Sequence, residues 1–414
     1  MPQNPTLDEI LDLLPDPGNE PGVAPMLPRA CYTSAAFFEF EREAIFARTW
    51  TCIGHEAQLA AAGDFIAATV AGEPLLIVRT AAGDIRAMSA VCQHRGHVLS
   101  PDPSPGTRMF RCPLHYWTYD LEGKLLGAPR MTDHEQPDCL RANVRLPSVP
   151  VELWHGFVFV NLDTDAAPLA PSLAKLDALW AGYEGADLVA IPPKIAETAQ
   201  PWNWKVHVEN FTDAYHPEFV HRGTHDFAPS VLGDDGVAFT DMVPGDNAIV
   251  RSVPLVRPDG GMMEDGWGVP PAFPPIATLP AVQHERLTFA LIPPSLTMMF
   301  TPTHIGYTIV VPAGVEATYA SSDRVTGGGW LLPRSTRDLP DFEERAAAVT
   351  RGASKIWAQD VPVNLAMQAG RQSRFMPTAD RYGKLETTLR QFNAWLLQRY
   401  RHGPLRAGAP HRVL

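Results

Sequence analysis

The stretch Trp202-Asn-Trp-Lys-Val-His-Val-Glu-Asn-Phe-Thr-Asp-Ala-Tyr-His-Pro-Glu-Phe-Val-His221 holds Asp213, His216 and His221 within nine residues. The two histidines are five apart, one more than the spacing that lays side chains on one helical face. Pro217 follows His216, and a residue before proline is disfavoured in the helical region. The pattern therefore predicts a helix over about 204–215, a break at His216, and His221 returning from the next turn. Asp213 and His216, at i, i+3, share a helical face. Asp213 can then accept a hydrogen bond from the His216 ring nitrogen that faces away from a metal. Two neutral imidazoles and one carboxylate on one face of an iron leave positions open for oxygen and substrate, as in non-heme Fe(II) oxygenases. Polar residues at an ordinary helix end would look the same, so the stretch needs support from elsewhere.

That support lies about a hundred residues upstream, in Cys92-Gln-His94 and Cys112-Pro-Leu-His115. Two loops, each offering one thiolate and one imidazole, suit either a tetrahedral zinc or a Rieske [2Fe-2S] centre. Zinc ligands more often come as paired cysteines and paired histidines. Mixed pairs instead let each loop wrap one side of a two-iron cluster, with cysteine on the inner iron and histidine on the outer, and this favours the cluster. Gly96 can supply the positive φ that a tight loop of this kind requires. Trp117 and Tyr119 either shield the site or belong to a β core, and His97 has no pairing cysteine.

Around these motifs the chain reads as α+β. Runs such as 65–70, 74–79 and 156–161, with glycines between them, predict a small antiparallel β domain over about 52–162. Helical spacing marks 7–14, with Thr6 and Glu9 at capping-box distance, 35–50 behind Ser34, and also 173–183, 338–359 and 384–400. Strands are expected within 235–251, 286–300, 304–311 and 328–332. The Pro-, Gly- and Met-rich stretch 253–280 reads as an active-site cover. Its Met262, Met263, Trp267 and Phe273, with Asp259, Glu264 and Asp265 against Arg257, suit a neutral aromatic or a cationic amine better than a polycarboxylate. Met298, Met299 and Phe300 read as sheet core, with a place on the pocket wall as the alternative.

Composition narrows the class. At 414 residues the chain is long enough for two or three domains, and 45% apolar with 19% charged residues describes a globular protein. A net charge of −12 argues against nucleic acid or an anionic membrane as partner. No apolar run is long enough for a membrane span, and the N-terminal stretch lacks the basic and apolar regions of a signal peptide. The expectation is a cytoplasmic protein. Five cysteines do not suggest a disulfide framework, and Cys31, Cys52 and Cys139 read as buried or inert thiols.

Together, Cys-x-His-Arg-Gly with Cys-x2-His, then Asn-Trp-Lys-x3-Glu-Asn-Phe, then Asp-x2-His-x4-His, make the chain resemble the large (α) subunit of the Rieske non-heme iron oxygenases. That family comprises ring-hydroxylating dioxygenases and demethylating monooxygenases. The resemblance implies an N-terminal helical segment over 1–50 packed on the catalytic domain, a Rieske domain over 51–163, and a helix-grip catalytic domain over 164–414. It implies a cluster on Cys92, His94, Cys112 and His115, and Fe(II) on His216, His221 and a distant aspartate. Eight residues before Gln368-Ala-Gly370 that aspartate is Asp360, placed at the end of the 338–359 helix. Tyr116 departs from the family, which usually has a small residue there, and Leu365 replaces a common acidic one.

The implied chemistry is mono- or dioxygenation with O2 as co-substrate. Electrons would come from a separate ferredoxin or flavin reductase, and so indirectly from NAD(P)H, because the chain has no Gly-x-Gly-x-x-Gly after a strand and no second cysteine cluster. In such proteins one subunit's cluster feeds its neighbour's iron. The resemblance therefore implies a homotrimer or a multiple of it, with or without a small β subunit, and Asp213 as the bridge from His94 or His115 to His216. Asn210 is expected near the iron and Tyr215 between the centres. The rival readings are a Rieske-type electron carrier, needing only the β domain, and a zinc-stapled small-molecule-binding protein.

Overall fold

The structure, a computed structural model, describes residues 5–16, 22–99, 106–131, 137–193, 198–256, 273–321, 329–378 and 380–402. The chain divides into two compact units, 46–169 and 1–45 with 170–414. Every pairing between its described strands is antiparallel.

The smaller unit has three sheets. β1 (Thr51–His55), β10 (Phe157–Val160) and β9 (Val151–Trp154) form one, in that order. β2 (Phe65–Val70), β3 (Glu73–Arg79), β4 (Ile85–Ser89) and β8 (Ser148–Val149) form the second. β5 (Phe110–Arg111), β6 (Thr118–Tyr119) and β7 (Leu125–Gly127) form the third, beside the second cysteine loop. The expected strands at 65–70 and 74–79 are present almost to the residue, because short β-branched and apolar runs and the positive-φ glycines Gly63, Gly72 and Gly83 that bound them agree there. Cys92 and Cys112 are buried in one apolar cluster with Leu76, Val78, Phe110 and Tyr119.

The larger unit is built on an eight-stranded sheet. Its order is β11 (Leu188–Ile191), β18 (Trp330–Pro333), β16 (Ile305–Gly314), β15 (Leu296–Phe300), β14 (Arg286–Ile292), β13 (Ile249–Pro254) and β12 (Ala238–Phe239), with β17 (Ala317–Ser321) also paired to β16. The Trp204–Thr212 helix packs on β14 and β16, and the Thr387–His402 helix on β13. Asn203 caps the first of these helices, its Oδ1 accepting from Lys205 N at 3.1 Å.

That helix is buried on nearly every side, including two charges four residues apart. Lys205 pairs with Glu41 at 2.7 Å, where Tyr400 also donates at 2.5 Å. Glu209 pairs with Arg371 at 2.6 Å and accepts from the Tyr32 hydroxyl. The helix is thus tied to the N-terminal segment, the Phe342–Gln372 helix and the C-terminal helix by groups that could not be left unpaired in the interior.

Several expected boundaries move. The Thr6/Glu9 capping box is formed, but its helix ends at Asp12. The helix behind Ser34 runs Ala35–Glu41 and closes with a π turn to Phe46, short of Trp50. Cys31 and Cys52 are buried, whereas Cys139 is exposed on the short Pro137–Asn143 helix. The expected cover falls mostly on 257–272, with Arg257, Asp259, Met262, Met263, Glu264, Asp265 and Trp267, and lies outside the described residues. Of its described ends, Val253 and Pro254 belong to β13, and Phe273 is fully buried against His304, Trp330 and Phe342.

Candidate active site

The two cysteine loops of the smaller unit have the same backbone plan. Cys92 O accepts from Gly96 N at 3.0 Å, and Cys92 N donates to His97 O at 2.9 Å. Cys112 O accepts from Tyr116 N at 2.9 Å, and Cys112 N donates to Trp117 O at 2.8 Å. Each loop turns through a left-handed residue, Gly96 at φ 74° and Tyr116 at φ 61°. Both thiols are buried, and both imidazoles are half-buried with ring centres 4.8 Å apart. His94 stacks on Trp117 at 4.6 Å, and the Tyr119 hydroxyl lies 3.3 Å from Cys92 Sγ. Tyr119 therefore both belongs to the core and covers the thiol.

The donor set fits a [2Fe-2S] group with cysteines inward and histidines outward. Among the described residues His115 Nδ1 is buried without a hydrogen-bond partner, as a nitrogen reserved for a metal would be. Burial raises the Cys92 thiol pKa, while burial, His115 and Arg95 lower that of His94. A bound cation would compensate the first and is compatible with the second.

Tyr116 explains why a small residue suits its position, since a side chain in the left-handed region is strained. Its ring is 58% exposed, with the Arg111 guanidinium 5.7 Å away as its cation–π partner. Tyr116→Gly is expected to stabilise this unit by about 0.5–1 kcal/mol after the entropic cost of glycine. Chemical denaturation checks this, and a lower midpoint would refute it.

In the larger unit the expected helix 204–215 stops at Thr212. Asp213 is its extended cap, and the carboxylate turns the chain by accepting from Tyr215 N at 2.7 Å and His216 N at 3.3 Å. His216 is not pushed out of the helical region. It has φ −66°, ψ −27° and precedes a new short helix, Pro217–Val220, in which Pro217 takes the first position, where its missing N–H costs nothing. The Asp213 contact to His216 is therefore made across a turn, not along one helical face.

Asp360 also stands differently from expectation. The helix continues through it, spanning Phe342–Gln372 with Pro362 inside. Ile356, Asp360, Asn364 and Gln368 form a buried stripe. Gln368 accepts from Asn203 N and donates to Tyr32 O and Glu316, and Arg371 holds Glu209. Such anchoring outweighs the roughly 3 kcal/mol that an interior proline costs. The charge of Asp360 is therefore not a helix-end effect.

These elements bring His216 Nε2, His221 Nε2 and an Asp360 oxygen within 4.8 Å of one another. The two Nε2 atoms are 3.3 Å apart, and Asp360 Oδ1 is 3.0 Å from that of His221 and 3.7 Å from that of His216. Each outer nitrogen faces an acceptor: His216 Nδ1 meets Asp213 Oδ2 at 3.0 Å, and His221 Nδ1 meets Gln359 Oε1 at 3.0 Å. Protons placed on Nδ1 leave two lone pairs and a carboxylate converging on one point. Only a cation or a proton satisfies that arrangement, so the donor set fits a divalent metal.

A cavity opens on this point. One row of residues in register across β13, β14, β15 and β16, namely Arg251, Phe289, Met299 and Gly306, lines one side of it. Met299 therefore faces the pocket, while Met298 and Phe300 are core. Arg251 is spent on the end of the Trp204–Thr212 helix, donating to Thr212 O at 2.9 Å and Asp213 O at 3.2 Å, over the Phe289 ring. Asn210 lines the pocket as expected, whereas Tyr215 is half-exposed and packs on Phe219. Sequence reading missed Gln359, His225 and Arg251. His225, four after His221, and Arg251, a lone charge in an apolar strand, carried the signals that could have found them.

Two pocket histidines are held neutral. Burial, then His221, Arg251 and His216, takes His225 down to about 3, and burial takes His304 down to about 4. His304 Nδ1 meets Thr303 Oγ1 at 2.8 Å. Unfolded, a histidine titrates near 6.5, so between about pH 6.5 and 4 only the unfolded chain gains that proton and stability falls as pH falls. His304 should contribute on the order of 3 kcal/mol to that acid sensitivity. Thermal unfolding of His304→Asn should show a flatter decline over this range, and an identical slope would refute it.

Comparison with known proteins follows the same division. The Rieske [2Fe-2S] domain profile matches residues 49–150, and that of the ring-hydroxylating alpha subunit (catalytic domain) matches 188–402. The carnitine monooxygenase oxygenase subunit of Acinetobacter pittii (strain PHEA-2) is 37% identical over 52% of this chain and 56% of its own length, so the match spans about half of that relative. The naphthalene 1,2-dioxygenase large oxygenase component of Pseudomonas putida is 26% identical over 78% of this chain and 75% of its own. A crystal structure of a quaternary ammonium Rieske monooxygenase with an inhibitor superposes with a TM-score of 0.72, covering 92% of this chain and 97% of that one at 24% identity, which shows the shared fold. No helix among the described residues is long and apolar enough to cross a membrane. A Rieske domain followed by this catalytic domain is the order of an oxygenase large subunit, and the chain belongs to the ring-hydroxylating alpha-subunit family of Rieske non-heme iron oxygenases.

Proposed function

We propose that this chain is the terminal oxygenase of a multicomponent system that hydroxylates or dealkylates a small aromatic or amine substrate with O2. The observation that carries this is the convergence of His216, His221 and Asp360 on one point at the mouth of an aromatic-walled cavity. Fe(II) bound there would supply open coordination positions for oxygen and substrate. Cys92, His94, Cys112 and His115 would hold the [2Fe-2S] cluster that receives electrons from a separate ferredoxin or flavin reductase, ultimately from NAD(P)H. A bare electron carrier would leave the second cluster of ligands without a task.

Asp213 orients His216 and, in this reading, relays electrons from the cluster of a neighbouring subunit. Asp213 and Tyr215 lie partly exposed, where such a neighbour could reach them. This calls for a homotrimer or a multiple of it, with or without a small β subunit, in the cytoplasm. Asn210 holds one wall near the iron.

Phe211, Phe227, Phe289 and Met299 give the pocket apolar faces, and among its described lining residues Asp360 is the sole carboxylate. Such walls accept a neutral ring, or an amine cation over an aromatic face. The relatives named for naphthalene and for carnitine bracket that range. Metal and acid-labile sulfide analysis with a visible spectrum tests the reading. Two cluster irons plus one mononuclear iron per chain are expected, and a colourless zinc protein would overturn it. Oxygen uptake with a surrogate reductase against aromatic acids, aromatic ethers and quaternary amines then identifies the substrate.

A further inference from the structure

We infer that a second cavity adjoining the iron pocket is a recognition subsite for an uncharged group that both donates and accepts hydrogen bonds, such as a primary carboxamide, carried by the substrate. This rests on the oxygenase reading above. The smaller cavity shares Asn210, Phe211, Thr297 and Thr308 with the main pocket and adds His207, Trp357 and Asn364. The two cavities therefore adjoin, and in this reading one ligand spans both.

Asn364 is the decisive residue. It is fully buried, and among the described residues neither its amide oxygen nor its amide nitrogen has a hydrogen-bond partner. Other buried asparagines of the same unit are engaged at one end or both: Asn203 donates to Val315 O, Asn247 bonds Pro293 O and Trp395, and Asn393 donates to Pro25 O. A buried amide with both ends open is costly unless something outside the fold completes it. Here the side chain lines a cavity, so the completing group can be a ligand.

Position and charge specify that group. Asn364 follows Asp360 by four residues on the buried stripe of the Phe342–Gln372 helix, so a group held by Asn364 sits about one helical turn, roughly 5.4 Å, along from the metal-binding carboxylate. Thr297 and Thr308, directly paired on β15 and β16, add hydroxyls. No Asp, Glu, Lys or Arg lines the smaller cavity among the described residues, and the His207 ring packs on Trp357. A carboxylate or an ammonium would lose its hydration there without gaining a counter-charge, whereas a neutral amide loses little and satisfies both ends of Asn364.

The test is calorimetric titration of the anaerobic ferrous holoenzyme with benzamide, toluene and benzoate. Benzamide is expected to bind at least about tenfold more tightly than either of the others. Asn364→Leu, which keeps the branched shape but removes the amide, should weaken benzamide about tenfold, leave toluene within about twofold, and keep or raise the melting temperature, because no internal bond is lost. If Leu prevents folding, Asn364→Ala serves the same comparison. Equal affinities in the wild type, no binding of any probe, or an equal loss for benzamide and toluene in the variant overturns the subsite, which would then hold water only. Iron content is measured on the same samples. Absence of the mononuclear iron would overturn the oxygenase reading instead, and the affinity ratio would still decide the subsite.

Discussion

Asp360→Ala is expected to leave the [2Fe-2S] cluster intact while removing the mononuclear iron, so that iron falls from three to two per chain, with sulfide and visible spectrum unchanged and turnover lost. Asp360 is 2% exposed and, among the described residues, supplies the carboxylate that faces the Nε2 atoms of both imidazoles, Asp213 being on the outer Nδ1 of His216. Without it a divalent ion meets two neutral nitrogens in a buried site. The loss of affinity should exceed the ten- to hundredfold typical of deleting a mere orienting partner, reaching about 100-fold or more. Collapse of the fold would not explain the result, because residue 360 lies inside a helix where alanine is favoured by up to about 0.7 kcal/mol. The metal-free variant should melt no lower than metal-free wild type. Retention of the mononuclear iron would exclude Asp360 as a ligand.

The part of this site that was legible in the sequence is the part fixed by local spacing. Cys92, His94, Cys112 and His115 fall in two short loops whose backbone bonds lie within six residues, so their juxtaposition needs only that the loops meet. His216 and His221 are likewise joined by one turn and one short helix. What could not be read locally is what tertiary structure overrides. Pro217 predicts a break at His216, yet it starts a new helix, and the helix expected over 338–359 runs on through Pro362, held by Gln368 and Arg371 reaching partners far along the chain. Asp360 was reachable only through the family resemblance, since no spacing rule connects it to His221. Gln359 and Arg251 act through contacts across sheet and helix, to a histidine ring and to the last carbonyls of a helix. Within the stretch read as a cover, most of which lies outside the described residues, Phe273 is buried in an aromatic core, a placement that composition does not carry.

Asp213→Asn is expected to retain both metals and still lose turnover by about 100-fold or more. The carboxylate accepts three hydrogen bonds, from His216 Nδ1 at 3.0 Å and from the backbone N–H groups of Tyr215 and His216. An amide offers one acceptor oxygen and one NH2, so either the ring N–H or the turn meets a donor in place of an acceptor. The substitution also removes the negative charge that faces the outer nitrogen of His216, which a change confined to shape would not do. If Asp213 relays electrons as well as orienting the ring, the defect lies in one step. The cluster should reduce normally, while oxidation of the reduced cluster in a single turnover should slow in proportion to the lost turnover. Asp213→Glu, which restores the charge at a different reach, should recover part of the rate. If Asp213→Asn holds both metals and turns over as fast as wild type, electrons do not travel by this carboxylate. Slow turnover with an unchanged rate of cluster oxidation would confine Asp213 to positioning His216.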